Sequence, residues 1–154
     1  MVHAGTFENF FGQERKRLVA ALHNLTGDLD VSADAIDEAM ARAYARWSRL
    51  ENHPEPAGWV FVTARNIARR RLRRANRHPD AVQAPVHQHN TELWMLVSAL
   101  PDRQREAVVL RHVAGLTERS VGEAMGVTRG TVSSTLRDAY RKLETELGND
   151  EEQT

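Results

Sequence analysis

Apolar residues in this chain recur at intervals of three and four, and nowhere does a stretch alternate apolar with polar residues. The first spacing lines up one face of an α-helix, whereas alternation would have marked strands, so the chain reads as all-α. Phe7, Phe10, Phe11, Leu18, Ala21, Leu22 and Leu25 form a first stripe, which Gly27-Asp28 interrupts. A second runs through Ile36, Met40, Ala43 and Trp47, with Ser32 as its expected N-cap. Glu51 to Pro56 holds two prolines and no repeat, and reads as a loop. The spacing predicts a third helix from about Pro56, well placed in a first turn, to Arg74, burying Val60, Phe61, Ala64, Ile67, Ala68 and Leu72.

Residues 75–90, with Pro79 and Pro85 and no apolar repeat, read as a flexible linker. Beyond it Leu93, Leu96, Val97 and Leu100 mark a short helix, and Pro101 opens another containing Ala107, Leu110 and Val113, which Gly115 ends. The expected organisation is two small helical domains, 1–74 and 91–147, with the linker between them and an acidic tail at 148–154. Each domain lies near the roughly 60 residues at which a core becomes marginal. Without cysteine there is no disulfide framework and no thiolate metal site. The N-terminus lacks a basic segment followed by an apolar core, so the expectation is a cytoplasmic protein with no membrane insertion. His78, His87 and His89 with Asp80 fall in the linker without the regular spacing of metal ligands, so no metal is expected. Nor is there a glycine-rich phosphate loop, a nucleophile elbow or a pair of catalytic carboxylates, which argues against an enzyme and against a cofactor.

Lys plus Arg total 21 and so do Asp plus Glu, an unusual balance for a protein that binds phosphates. The charges are unevenly placed. Arg69, Arg70, Arg71, Arg73, Arg74 and Arg77 cluster, while Glu144, Glu146, Asp150, Glu151 and Glu152 make the C-terminus acidic. A molecule with one basic strip can still bind nucleic acid.

The most informative segment is Thr117 to Leu143. A short helix containing Val121, Gly122 and Met125 meets a turn at Gly126-Val127 and a second helix capped by Thr128, the order of a helix-turn-helix. Gly122 would let the two helices approach closely, and Gly126 can adopt the left-handed backbone of the turn. Val121, Met125, Val127, Val132 and Leu136 would form the shared core. In such a motif the second helix enters the major groove, and here Arg129, Ser133, Arg137 and Arg141 fall on one outward stripe, with Thr128, Gly130, Thr131 and Ser134 beside its start.

These residues resemble a known family. The run Leu100-Pro101-Asp102-Arg103-Gln104-Arg105-Glu106-Ala107-Val108-Val109-Leu110-Arg111, followed by Gly115-Leu116-Thr117-Glu118 and Gly126-Val127-Thr128-Arg129-Gly130-Thr131-Val132, is similar to the fourth conserved region of RNA polymerase sigma factors. Leu25-Thr26-Gly27-Asp28, Ala39 to Trp47 and Trp59 through Asn66 to Leu72 resemble the second conserved region of the extracytoplasmic-function (ECF) group of the sigma-70 family. The resemblance implies a region 2-like three-helix domain and a region 4-like helix-turn-helix domain. It implies a factor that binds core RNA polymerase and promoter DNA, directs transcription initiation, performs no covalent chemistry, is held by an anti-sigma factor and is monomeric when free.

Roles carry over by position. Asp37, Glu38, Arg42 and Arg46 become candidate polymerase contacts. Asn52 and His53, in the loop implied to capture a flipped base, become downstream-element contacts, as do Trp59, Asn66, Arg69, Arg70 and Arg73, where an aromatic could stack on an unpaired base and guanidiniums could hold the backbone. The eight residues of the second half of the helix-turn-helix become upstream-element contacts. The chain departs from the family in lacking a basic residue at Ser133 and at Thr135 or Asp138, and in placing Ala35 and Ala41 where larger apolar residues are usual. Those departures predict an unusual upstream element or dependence on a helper protein. Two other readings stay open: a non-sigma helix-turn-helix regulator, and a degenerate sigma-like module that sequesters polymerase or an anti-sigma factor.

Overall fold

A computed structural model describes residues 2–75 and 91–152. The expected linker beyond residue 75, with its histidines, and the last two residues of the acidic tail lie outside the described residues. Every regular element among the described residues is helical. The chain separates into two compact units, Met1–Val86 and His87–Thr154.

In the first unit, α1 (Val2–Thr26) and α2 (Leu29–Ala45) meet at a corner built from Gly27, whose φ of 71° is a left-handed conformation that costs glycine little. Asp28, not Ser32, caps α2: its side chain accepts the Val31 amide at 3.0 Å. Ser32 lies one turn inside, fully buried, and its hydroxyl pairs with that of Thr26 at 2.7 Å. A polar side chain at that depth must find a partner, and the corner supplies one.

The helix α2 stops at Ala45, and Trp47, which the sequence pattern counts into the α2 stripe, opens a separate single turn, α3 (Trp47–Leu50). The break turns Trp47 inward, where its ring lies 5.0 Å from Phe10 and 5.4 Å from Phe7. Then α4 (Pro56–Arg74) runs with a proline in its first turn. Helix α2 packs against both α1 and α4. Its buried row of Ala35, Ala39 and Ala43 leaves room for Leu18, Leu22, Val60 and Phe61, all fully buried. Ala35 therefore belongs to a close helix–helix contact, whereas Ala41 is exposed and takes nothing from the core. Leu72 is only half-buried, at the end of the apolar stripe.

In the second unit, α5 (Thr91–Ser98) and α6 (Asp102–Val108) meet at Leu100-Pro101. Arg105 ties this corner, donating to the Ser98 carbonyl at 2.9 Å and to Asp102 at 2.7 Å. Helix α6 continues into a π-helical turn, Val109–Val113, in which the Ala114 amide reaches the carbonyl five residues back at 3.0 Å. Thr117 caps α7 (Glu118–Met125), Gly126 turns the chain with φ 70°, and Thr128 caps α8 (Arg129–Glu152) by accepting the Thr131 amide at 3.1 Å. Val121, Met125, Val132 and Leu136 are buried between the two helices, with Val127 half-buried at the edge.

Helices α7 and α8 approach so closely that a Cβ on Gly122 would lie 2.8 Å from the Val127 carbonyl oxygen. That obstacle is backbone and cannot rotate aside. Gly122→Ala is expected to destabilise the second unit by about 1–3 kcal/mol, seen as a lower thermal midpoint for that unit with the first unit's transition unchanged.

Candidate nucleic-acid interface

On α8 the capping threonine leaves the first turn open. Thr128, Arg129, Gly130, Thr131 and Ser134 are exposed, and Arg137 follows further along the same helix, also exposed. This is the geometry in which an N-terminal half-helix meets base edges. Ser134 donates to the Thr131 carbonyl at 3.0 Å, so its hydroxyl is turned back along the helix. Ser133 differs from the others on the expected stripe. It is half-buried, and its hydroxyl donates to Glu118 Oε2 at 2.8 Å, the same oxygen that lies 3.7 Å from Arg129 Nε. Arg141 stands about 18 Å along the axis from Arg129, beside Leu96 and Leu100 where α5 meets α8.

In the first unit, Asn66, Arg69, Arg70 and Arg73 are exposed on α4, while Trp59 in its first turn is half-buried. The Arg46 guanidinium lies 5.9 Å from the Trp59 ring centre, a cation–π pair that joins a residue expected on the polymerase surface to one expected on DNA. Asn52 and His53 are exposed in the loop before α4, and His53 Nδ1 accepts the Glu55 amide at 2.9 Å, which orients the ring.

The acidic candidates on α2 are engaged within their own domain. Asp37 receives two hydrogen bonds from Arg15, at 2.7 and 3.0 Å, and Glu38 accepts from Arg42 at 2.9 Å and from Arg71 of α4. Surface pairs of this kind are worth about 0–1 kcal/mol, so a partner can displace them cheaply. Arg71 is thereby removed from the basic strip. Its position four residues after Ile67 put it on the flank of the buried face, a signal the arginine run concealed. Arg65, 3% exposed, is the other arginine of α4 that faces inward. The Ser133–Glu118 bond and the Arg15–Asp37 pair are not legible in the sequence, because both depend on contacts between helices.

The profile of sigma-70 region 2 matches residues 10–78, and that of sigma-70 region 4 matches residues 90–143. The chain belongs to the sigma-70 family. The RNA polymerase sigma-E factor of Streptomyces coelicolor is 26% identical over 151 residues, covering 92% of this chain and 85% of that protein. The ECF RNA polymerase sigma factor SigM of Bacillus subtilis is 26% identical over 136 residues, 79% of this chain and 83% of that one. Among solved structures, the sigma factor RpoE of Bartonella quintana, in complex with the anti-sigma factor NepR, superposes with a TM-score of 0.67 at 21% identity over 93% of this chain and 97% of that one. This is an ECF sigma factor, and its function is promoter-directed transcription initiation. The match to region 2 removes the reading in which the helix-turn-helix serves an unrelated regulator. No helix among the described residues of the sigma factor is long and apolar enough to cross a membrane.

Between the π-helical turn and α8, His112 Nε2 and the Tyr140 hydroxyl are 2.6 Å apart, with the rings edge to face. Partial desolvation of the otherwise exposed ring, reinforced by the neighbouring Arg111 charge, holds the His112 pKa below the ordinary histidine value. A histidine depressed in the folded state contributes stability above its unfolded pKa, and that contribution is lost as pH falls through the lower folded value. The thermal midpoint of the wild type should therefore fall relative to that of His112→Phe as pH is lowered from about 7 to about 5; parallel curves would show that His112 carries no such linkage.

Proposed function

We propose that the sigma factor divides its work between surfaces on its two units. Thr128, Arg129, Gly130, Thr131, Ser133, Ser134 and Arg137 read the upstream promoter element, with Arg141 as an outlying phosphate contact. Asn52, His53, Trp59, Asn66, Arg69, Arg70 and Arg73 hold the melted downstream element. Asp37, Glu38, Arg42 and Arg46 face core RNA polymerase. The observation that carries this reading is the helix-turn-helix itself: a glycine-packed helix pair whose second member has a capped, exposed first turn. The exposed arginines of α4 support the second surface, since they can neutralise phosphates without breaking the Glu38–Arg71 bridge.

The factor acts in the cytoplasm beside the polymerase and performs no covalent step of its own. The RpoE structure holds a sigma factor against the anti-sigma factor NepR, and a second similar solved structure holds a chain named CnrH, 17% identical with a TM-score of 0.56, against the cytosolic domain of CnrY. We assign this chain an anti-sigma partner on the same grounds of fold. A carboxylate pair on α2 that is already matched with arginines offers such a partner charges of both signs.

Mixing the purified chain with sigma-free core polymerase should give a stable complex and specific run-off transcripts from genomic promoter fragments. A complex without transcripts would instead favour the sequestering module. Arg129→Ala and Arg137→Ala should each weaken upstream binding by about 1–3 kcal/mol with polymerase association intact, and equal loss of both activities would sink the division. Arg69→Ala, Arg70→Ala and Arg73→Ala should each lower the salt dependence of promoter-complex formation by about one phosphate contact, read as the slope of log affinity against log salt.

A further inference from the structure

Ser133 sits where the family resemblance leads one to expect a basic residue, and the structure gives it an unusual neighbour. Its Oγ donates to Glu118 Oε2 at 2.8 Å across the helix pair. A serine hydroxyl has one proton and two lone pairs. With the proton given to a carboxylate, only the lone pairs remain for DNA. Hydrogen bonds to ionised groups are stronger than neutral ones, and the carboxylate is anchored: Glu118 opens α7 directly after the Thr117 cap, with Arg129 Nε 3.7 Å from the same Oε2 that Ser133 donates to. Turning the hydroxyl round to donate to a base would strip that carboxylate of a charge-assisted partner, which is the expensive direction of exchange.

The major groove offers a matching distinction. Adenine N6 and cytosine N4 donate there, whereas guanine O6 and N7 and thymine O4 accept. We propose that Glu118 is a specificity-determining residue that locks Ser133 as an acceptor, so that α8 selects an amino-bearing base, adenine or cytosine, over guanine or thymine on the strand Ser133 meets. Every Watson–Crick pair carries one amino and one keto base at this edge, so the device reads which strand carries the amino group and is indifferent to purine against pyrimidine. Glu118, itself acceptor-only, adds to the same preference. An acid among phosphate-facing residues weakens binding in general, and the lock is what it contributes in return. The inference rests on the assignment of α8 to the upstream element.

The test is selection of upstream elements from a randomised duplex library by holoenzyme reconstituted with wild type, Ser133→Ala, Glu118→Ala or Glu118→Gln, each first shown to keep its helical content and thermal midpoint. The wild type should favour A or C over G or T at one position by roughly three- to tenfold. Ser133→Ala should flatten that position alone. Glu118→Ala should admit all four bases there, because the hydroxyl can then turn, and Glu118→Gln, whose Oε1 still accepts the proton, should keep the preference. An unchanged preference in Glu118→Ala, a loss in Glu118→Gln as complete as in Glu118→Ala, or a keto preference at the position that Ser133→Ala flattens would overturn the lock while leaving upstream recognition standing. A wild-type holoenzyme that selects no upstream motif would overturn both.

Discussion

The second unit depends on the approach of one helix backbone to the next at Gly122. The Val127 carbonyl occupies the space that any other residue's Cβ would need, and this contact sets the distance between α7 and α8. From that distance follow the burial of Val121 and Val132 and the direction in which the first turn of α8 points. It also brings Glu118 within reach of Ser133, fifteen residues later in the chain. The geometry of this helix pair is here the product of a missing methyl group.

Electrostatics in the first unit follow a similar economy. The net charge of the whole chain is zero, yet the arginines of this unit are not equivalent. Arg15 and Arg71 join α2 to its neighbours through Asp37 and Glu38, Arg65 is buried, and Arg70 and Arg73 remain exposed on α4. The pairs between helices hold the acids of α2 in fixed positions without committing them to a deep ion pair, whose desolvation would be hard to reverse. A surface arranged this way is ordered before a partner arrives and still exchangeable once it does.

Helix identity was legible wherever an apolar stripe was long, as in α1 and α4, because periodicity reports which face is buried regardless of the partner. The helix-turn-helix was legible for another reason: Gly122, Gly126 and Thr128 each answer a local steric demand that no tertiary contact alters. Ends and breaks were harder. Asp28 and Ser32 are both good capping residues, and only the left-handed Gly27 and the Thr26–Ser32 hydrogen bond decide between them. Trp47 continues the α2 stripe by count, but the cluster of Phe7 and Phe10 draws it into a separate turn. Of the candidate site, the exposed positions could be anticipated from helix phase. The roles of Glu118, Arg71 and Arg46 could not, since each is defined by a side chain on another helix.

The π-helical turn at Val109–Val113 bears on how relatives are compared with this chain. Such a turn holds one more residue than the α-helical turn it replaces, and each residue of an α-helix advances the chain by about 100°. An alignment that counts straight through the segment as uninterrupted α-helix assigns His112 and Val113 to the wrong sides of the helix. Relatives without the extra residue would then pair a solvent position with a core position, and a gap placed inside this helix, where gaps are ordinarily penalised, would be the correct one.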